Sequence, residues 1–238
     1  MAYKYDLGLG LGASPSTSRT MTHESSMVCQ LTPGPQTENL VEPSSAEKAM
    51  VKSMISSTFP NIHITDIKKV DNSFLKAMYL VKKEEYKSRN QRVEEKTLLH
   101  VTGADNVKSI FKNNFDWRLV SRGKFGQGTS FSNDAKYANR YANQSIGNRR
   151  AFIITKVLVS NEIGGNYGLK VPMFKYDTTT GNGNKVFVKF CDNETLPSFV
   201  AYYNSNDLSR AHHVTVDFDD YYDLSYSDLD PFDFCDSD

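Results

Sequence analysis

Apolar side chains are dense and periodic from Ala46 to about Asn204 and sparse on either side, and this contrast confines any hydrophobic core to one stretch of the chain. Roughly 160 residues are ample for a single core. The sequence therefore divides into a head (1–44), one domain (45–204) and a tail (205–238). The head is mostly Ser, Thr, Gly and Pro, with few aliphatic groups to offset the entropy of ordering a backbone, and is expected to be disordered. From Val214 to Asp238 the tail carries nine Asp and no Lys or Arg, interleaved with Tyr and Phe. That is the pattern of a solvated, disordered interaction segment.

A formal net charge of zero hides an asymmetry: Ala46 to Lys156 holds 21 Lys and Arg against 10 Asp and Glu, a surplus of 11. A basic half of this kind attracts anionic ligands, and the acidic tail is the natural counterweight; solvated faces would give the same pattern. Cys29, Cys191 and Cys235 show no CxxC or Cys/His spacing, so neither a disulfide framework nor a metal site is expected. An intracellular protein, nuclear or cytoplasmic, fits this cysteine usage. No apolar run approaches the ~18 residues of a membrane span, and the N-terminus lacks the pattern of a signal peptide, so no membrane partner is expected. The sequence holds no zinc finger or other nucleic-acid module, and nucleic acid is not expected as a partner either.

Periodicity gives the elements. Ser45 stands as a helix cap with Lys48 where a capping box wants Glu, and Ala46, Ala49, Met50, Met54 and Ile55 follow at helical spacing up to Phe59-Pro60. Ile62 to Val70 alternates as a strand. Asn72 opens a second helix that continues to Arg92. Lys96 to Thr102 is predicted to be a short buried strand, Val107, Ile110 and Phe111 one face of a helix ending at Asn113-Asn114, and Phe115 to Gln127 a loop. Gly128 permits close backbone approach before a strand at Thr129 to Ser132. A helix is predicted over Ala135 to Ala142, a central strand over Ala151 to Val159, and two more strands at Lys185 to Phe190 and Phe199 to Tyr203. The sum is an α+β domain.

Two glycine patterns carry no chemistry. Gly8, Gly10 and Gly12 have no strand before them and no helix after, unlike a dinucleotide fingerprint, and the run from Gly123 to Thr129 lacks the Gly-Lys-Ser/Thr ending of a phosphate loop. Other runs do carry a resemblance: Leu98-Leu99-His100-Val101-Thr102, Asn114 to Arg118, Phe125 to Ser132, Ala135 to Tyr141, Lys156 to Val159, Lys175 to Asp177, and Val186 to Phe190 through Pro197 to Tyr203. In order and spacing they resemble the catalytic core of the poly(ADP-ribose) polymerase family, and the lead-in from Phe59 to Leu75 is similar to its mono-ADP-ribosylating branch.

That resemblance implies an ADP-ribosyltransferase fold with split antiparallel β-sheets, a cleft for NAD as co-substrate, and transfer of one ADP-ribosyl group to an acceptor protein with release of nicotinamide. His100 would bond the ribose 2′-hydroxyl beside nicotinamide, the backbone of Val101 would grip the carboxamide, Thr102 would add a hydroxyl contact, and Tyr137 would stack on the ring, with Tyr141 as runner-up. The His-Tyr-Glu triad of the polymerising members falls on His100, Ser130 and Val186. Val101 stands where the family has Gly, Ser130 where it has Tyr, and Val186 where polymerising members have Glu, so chain elongation is not expected.

Each of these residues also has a plainer reading. His100 fits a satisfied core histidine, Tyr137 and Tyr141 fit packing at i, i+4 spacing, Thr102 fits a local backbone partner, and Trp117 fits the base of the loop. Ser130 has no base within the motif set and does not read as a nucleophile. Two functions follow: a mono-ADP-ribosyltransferase, or a catalytically degenerate domain kept as a binding or scaffold module.

Overall fold

The computed structural model describes residues 40–89, 92–120, 123–140, 142 and 147–205. The expected head up to Asn39, the expected tail from Asn206 on, and Tyr141 lie outside the described residues.

Helix α1, Ser45–Ser56, starts one residue earlier than its apolar spacing predicts. Ser44 is the cap: its hydroxyl accepts from the Glu47 amide at 3.2 Å, and the Glu47 carboxylate accepts from the Ser44 amide at 2.8 Å. The shift brings Glu47 to the third helical position, where a reciprocal box needs a carboxylate, and Lys48 falls outside it. The Lys69 ammonium at 2.7 Å, and then the Ser44 amide and hydroxyl, pull the Glu47 carboxyl down to about 2. Helix α2, Ser73–Ser88, is capped as its sequence predicts, with the Asn72 side chain accepting from the amides of Phe74 and Leu75 at 3.1 Å. It ends short of the expected Arg92. Two shorter helices follow, α3 at Val107–Asn113 and α4 at Ala135–Arg140.

The strands are β1 Leu40–Val41, β2 Ile64–Val70, β3 Glu94–Gly103, β4 Thr129–Ser132, β5 Arg149–Val159, β6 Glu162–Gly164, β7 Thr178–Gly181, β8 Val186–Lys189 and β9 Thr195–Asn204. Leu40–Val41 pairs with β2, so the ordered domain begins inside the stretch read as head. Among the described residues the sheet order is β1-β2-β9-β5-β3-β4-β8-β7-β6, antiparallel throughout except β6 beside β7. β3 pairs with β5 from Glu94↔Val159 to Gly103↔Arg150, but with β4 only at Leu99↔Ser132. The sheet is thus split between β3 and β4 into two antiparallel halves, and together with its flanking helices it makes the expected α+β architecture.

Alternation along β3 sends neighbouring side chains to opposite faces. Leu99 and Val101 join Val51, Ile55, Phe152, Ala135 and Tyr203 in one core, under α1 and α4. Leu98 joins Val107, Phe111, Phe115, Phe131 and Ile153 in the other, under α3. Asn114 closes α3 at φ 70° and ψ −179°, a backbone conformation that favours glycine and is strained for a residue with a Cβ. Its side chain donates to the carbonyls of Asp192 and Thr195 at 2.6 and 2.9 Å and accepts from the Thr195 hydroxyl at 3.1 Å and the Phe115 amide at 2.9 Å.

Away from the split, Lys189 on β8 is 1 % exposed, yet its ammonium is satisfied by Asp177, Glu194 and the Thr178 hydroxyl, each at 2.8 Å. The Tyr86 hydroxyl on α2 donates to Glu194 at 2.5 Å. Burial alone would raise the Asp177 carboxyl, but the Lys189 ammonium and the Asn161 amide hold it below its usual range.

Candidate functional site

The split between β3 and β4 gathers several of the residues that the sequence singles out. Beyond Leu99 the two strands no longer pair, and the His100 side chain bridges the opening gap: Nδ1 lies 2.9 Å from the carbonyl oxygen of Ser130. A carbonyl only accepts, so Nδ1 carries the proton and, in the neutral ring, Nε2 is left with a lone pair. The ring meets Phe115 edge-on at 5.0 Å between centroids and Phe131 at 5.8 Å. Burial among these groups pushes the imidazole below its ordinary pKa, against the smaller opposing pull of the Ser130 carbonyl. The histidine is therefore neutral at physiological pH, with its tautomer fixed.

Ser130 itself is exposed and pairs with Val188 on β8. Val186, 4 % exposed, pairs with Ser132 across β4 and β8, so the third position of the expected triad is a buried aliphatic one. Thr102 is buried, and its hydroxyl accepts from the Asn106 side chain at 3.0 Å, which leaves its own proton to donate. Val101, 8 % exposed, belongs to the core that includes Ala135 at the start of α4, so the side chain added at this position stands on the α4 side of β3, away from the His100 ring.

Tyr137 is carried by α4, whose N-terminus is set by the Asp134 carboxylate accepting from the Tyr137 amide at 2.9 Å. Ala135 and Ala138 supply the helix face that packs on the sheet. Tyr137, two residues beyond Ala135, points away from that core and is half-buried. The structure thus brings His100, Ser130 and Val186 together on three consecutive strands, β3, β4 and β8. It carries Tyr137 on α4, the helix whose Ala135 and Ala138 pack with Val101 in one core.

Several supporting residues had no separate signal in the sequence. Phe115 and Phe131 wedge the imidazole, but their approach depends on tertiary packing of a loop and a strand. Asn139 accepts from the Tyr203 hydroxyl at 2.6 Å and from Arg150 at 3.3 Å, tying α4 to β9 and β5. Asp134, directly before a helical run, carried a legible capping signal. In the loop before β4, Gly126 adopts φ 121°, and a Cβ on Gly128 would collide with the Lys189 carbonyl, so the close approach expected at Gly128 is present. A cavity of about 500 Å³ opens elsewhere, between Asp66, Asp105, Arg149, Arg150 and Tyr202, and none of the candidate site residues lines it.

The family model described as the poly(ADP-ribose) polymerase catalytic domain matches residues 45–213. The chain belongs to this family. Similar poly(ADP-ribose) polymerase relatives are named as mono-ADP-ribosyltransferases. Human protein mono-ADP-ribosyltransferase PARP12 is 28% identical over 176 residues, covering 68% of this chain and 25% of the relative. Human PARP14 is 29% identical over 173 residues, covering 66% of this chain and 10% of the relative. Mouse PARP11 is 26% identical over 182 residues, covering 63% of this chain and 55% of the relative. The chain thus spans between a tenth and about half of the length of these relatives. Among the described residues no helix is long and apolar enough to cross a membrane.

Proposed function

We propose that this poly(ADP-ribose) polymerase-type domain transfers a single ADP-ribosyl group from NAD to a protein side chain and releases nicotinamide. The observation that carries the reading is the neutral His100 at the sheet split, its Nδ1 proton committed to the Ser130 carbonyl and its Nε2 free to accept. NAD supplies the bond that breaks, between the ribose anomeric carbon and nicotinamide, and nicotinamide leaves neutral while the acceptor oxygen or sulfur gives up its proton. The chain's part is to hold. Nε2 of His100 accepts the ribose 2′-hydroxyl, the Val101 backbone and the Thr102 hydroxyl grip the carboxamide, and Tyr137 offers a ring face. Holding the two halves of a scissile bond in a strained, oriented pose favours a cation-like transition state without a strong acid. Val186 brings no carboxylate to orient a sugar hydroxyl, so one ADP-ribosyl group is added and the chain is not extended.

The test is transfer of labelled ADP-ribose from NAD to the protein itself or to a lysate, with His100→Ala as control. Transfer by the parent and loss in the variant is the expected result. No transfer, together with no NAD-dependent rise in Tm, rejects it. Tyr137→Ala and Tyr141→Ala, measured side by side for NAD affinity, identify the stacking ring; Tyr137→Ala is expected to weaken binding more.

A second reading is favoured by Val101 and Ser130. A filled glycine position beside α4 and a missing ring wall on β4 describe a degenerate cleft that serves as a binding or scaffold module.

A further inference from the structure

The longest segment between strands in the second half-sheet runs from β6 to β7, and it presents its apolar groups outward. Phe174 is 99 % exposed and Tyr167 86 %, with Val171 and Met173 exposed beside them. The segment is nevertheless anchored. Gly165 N donates to Thr180 O at 2.8 Å, Gln127 N donates to Leu169 O at 2.9 Å, and Tyr176 N donates to Met173 O at 2.9 Å. Scattered single apolar residues on a surface need no explanation, but four within eight positions on a held loop mark a docking surface.

The charge of this surface is one-sided. Residues 163–176 contain Lys170 and Lys175, both exposed, and no Asp or Glu. At the cavity, Arg149 and Arg150 are balanced by Asp66 and Asp105 on its own walls. An occupant that is both acidic and aromatic is therefore complementary to the β6–β7 loop and not to the cavity.

We propose that the occupant is this chain's own segment 214–238, docking in cis on the β6–β7 loop. Its nine Asp answer Lys170 and Lys175, and its Phe218, Tyr221, Tyr222, Tyr226, Phe232 and Phe234 answer the exposed apolar groups. Reach is sufficient. The residues after Ser205 extend on the order of 100 Å at full stretch, against a radius of gyration of about 15 Å for a domain of this size. Tethering raises the local concentration of the tail into the millimolar range, so weak contacts suffice for occupancy. Because Leu169 holds the Gln127 amide, an occupied loop bears on the segment that feeds β4 and the Ser130 carbonyl. The inference does not depend on NAD binding or on activity.

The test uses the full chain with Cys29→Ser and Cys191→Ser, so that a nitroxide attached to Cys235 is the single label. In isotope-labelled protein at low salt, amide signals of 166–175 are expected to broaden. They should recover in about 1 M salt, where the screening length falls to about 3 Å, and in the surface variant Lys170→Glu/Lys175→Glu/Phe174→Ser. Broadening at Arg149 and Arg150 instead, or nowhere in the domain, overturns the proposal. Broadening seen only when spin-labelled and isotope-labelled chains are mixed assigns the loop to the tail of a second copy and equally overturns docking in cis. Hydrogen exchange at 166–175, compared between the parent and a chain with the nine tail Asp changed to Asn, reads the same contact without altering Cys191. Equal protection in the two overturns it.

Discussion

The imidazole of His100 has one polar partner and two aromatic neighbours, and that imbalance decides its charge. Its folded pKa lies below the unfolded value of about 6.5, so the unfolded chain binds the proton more tightly. Stability is then complete above the unfolded pKa and falls as pH drops through the window beneath it. Tm is expected to decline on acidification from pH 7 to pH 5, and less steeply in His100→Asn; equal slopes would show that the imidazole is not responsible. Val101 and Ser130, where the resemblance expects Gly and Tyr, point the other way, toward gain. Restoring Val101→Gly and Ser130→Tyr together removes a side chain beside α4 and adds a ring wall of about 0.5–1.5 kcal/mol. NAD affinity is expected to rise about 2- to 12-fold, measured by calorimetry, and an unchanged affinity means the positions are misassigned. At this scale the sequence named His100 and Ser130, which the structure joins through one hydrogen bond. It was silent on Phe115, Phe131 and Asn139, whose roles depend on which segments fold against one another.

Among the elements, β2, β3, β5, β8 and β9 stood out in the sequence because burial on the sheet selects for apolar and β-branched side chains, and β4 was marked by Gly128 before it. β1, β6 and β7 did not stand out. β1 is two residues long and β6 three, and β7 is a Thr-rich run ending in Gly, so none offers enough alternation to separate from loop. The cap of α1 lies one residue before the Ser45 cap that its apolar spacing suggests, and the capping-box spacing from Ser44 to Glu47, which Ser45 and Lys48 lack, is the sequence signal that marks it. Ser44→Ala is expected to cost about 1 kcal/mol in urea unfolding. The end of α3 is a stronger test. Asn114→Ala removes four side-chain hydrogen bonds while keeping a Cβ at φ 70°, and is expected to cost at least about 2 kcal/mol. Asn114→Gly, which loses the same hydrogen bonds but relieves the backbone conformation, should be milder by about 1 kcal/mol; a Gly variant as unstable as the Ala variant would assign the whole loss to the hydrogen bonds.

Over the whole molecule, the question is what keeps the two halves of the sheet together when their strands share a single paired position. Part of the answer is the core of Leu98, Phe115, Phe131 and Phe187, which spans the split. Another part is ionic: Lys189 and Asp177 belong to the second half, while Glu194 leads into β9 and takes the Tyr86 hydroxyl from α2. No sequence rule pairs residues 177, 189 and 194 before the fold is known, and a lysine inside a strand reads as solvent-facing. Lys189→Met leaves Asp177 without its counter-charge and Glu194 with only the Lys82 ammonium at 3.8 Å, and is expected to cost roughly 3–5 kcal/mol. Adding Asp177→Asn and Glu194→Gln should recover most of that loss, read by urea unfolding; no recovery would mean that Lys189 acts through packing of its stem. Because the Asp177 carboxyl is held below its usual range, its share of the stability is present above the unfolded pKa and disappears as pH falls through the folded one.

The rung at Leu99↔Ser132 sits one residue from His100 on the first half and two from Ser130 on the second. Of the ties between the two halves among the described residues, this rung is the one made by paired backbone, and it lies next to the imidazole. A twist of one half against the other therefore changes the angle between the imidazole and the carbonyl it holds, and a molecule that grips one half from outside has a mechanical handle on the aim of Nε2.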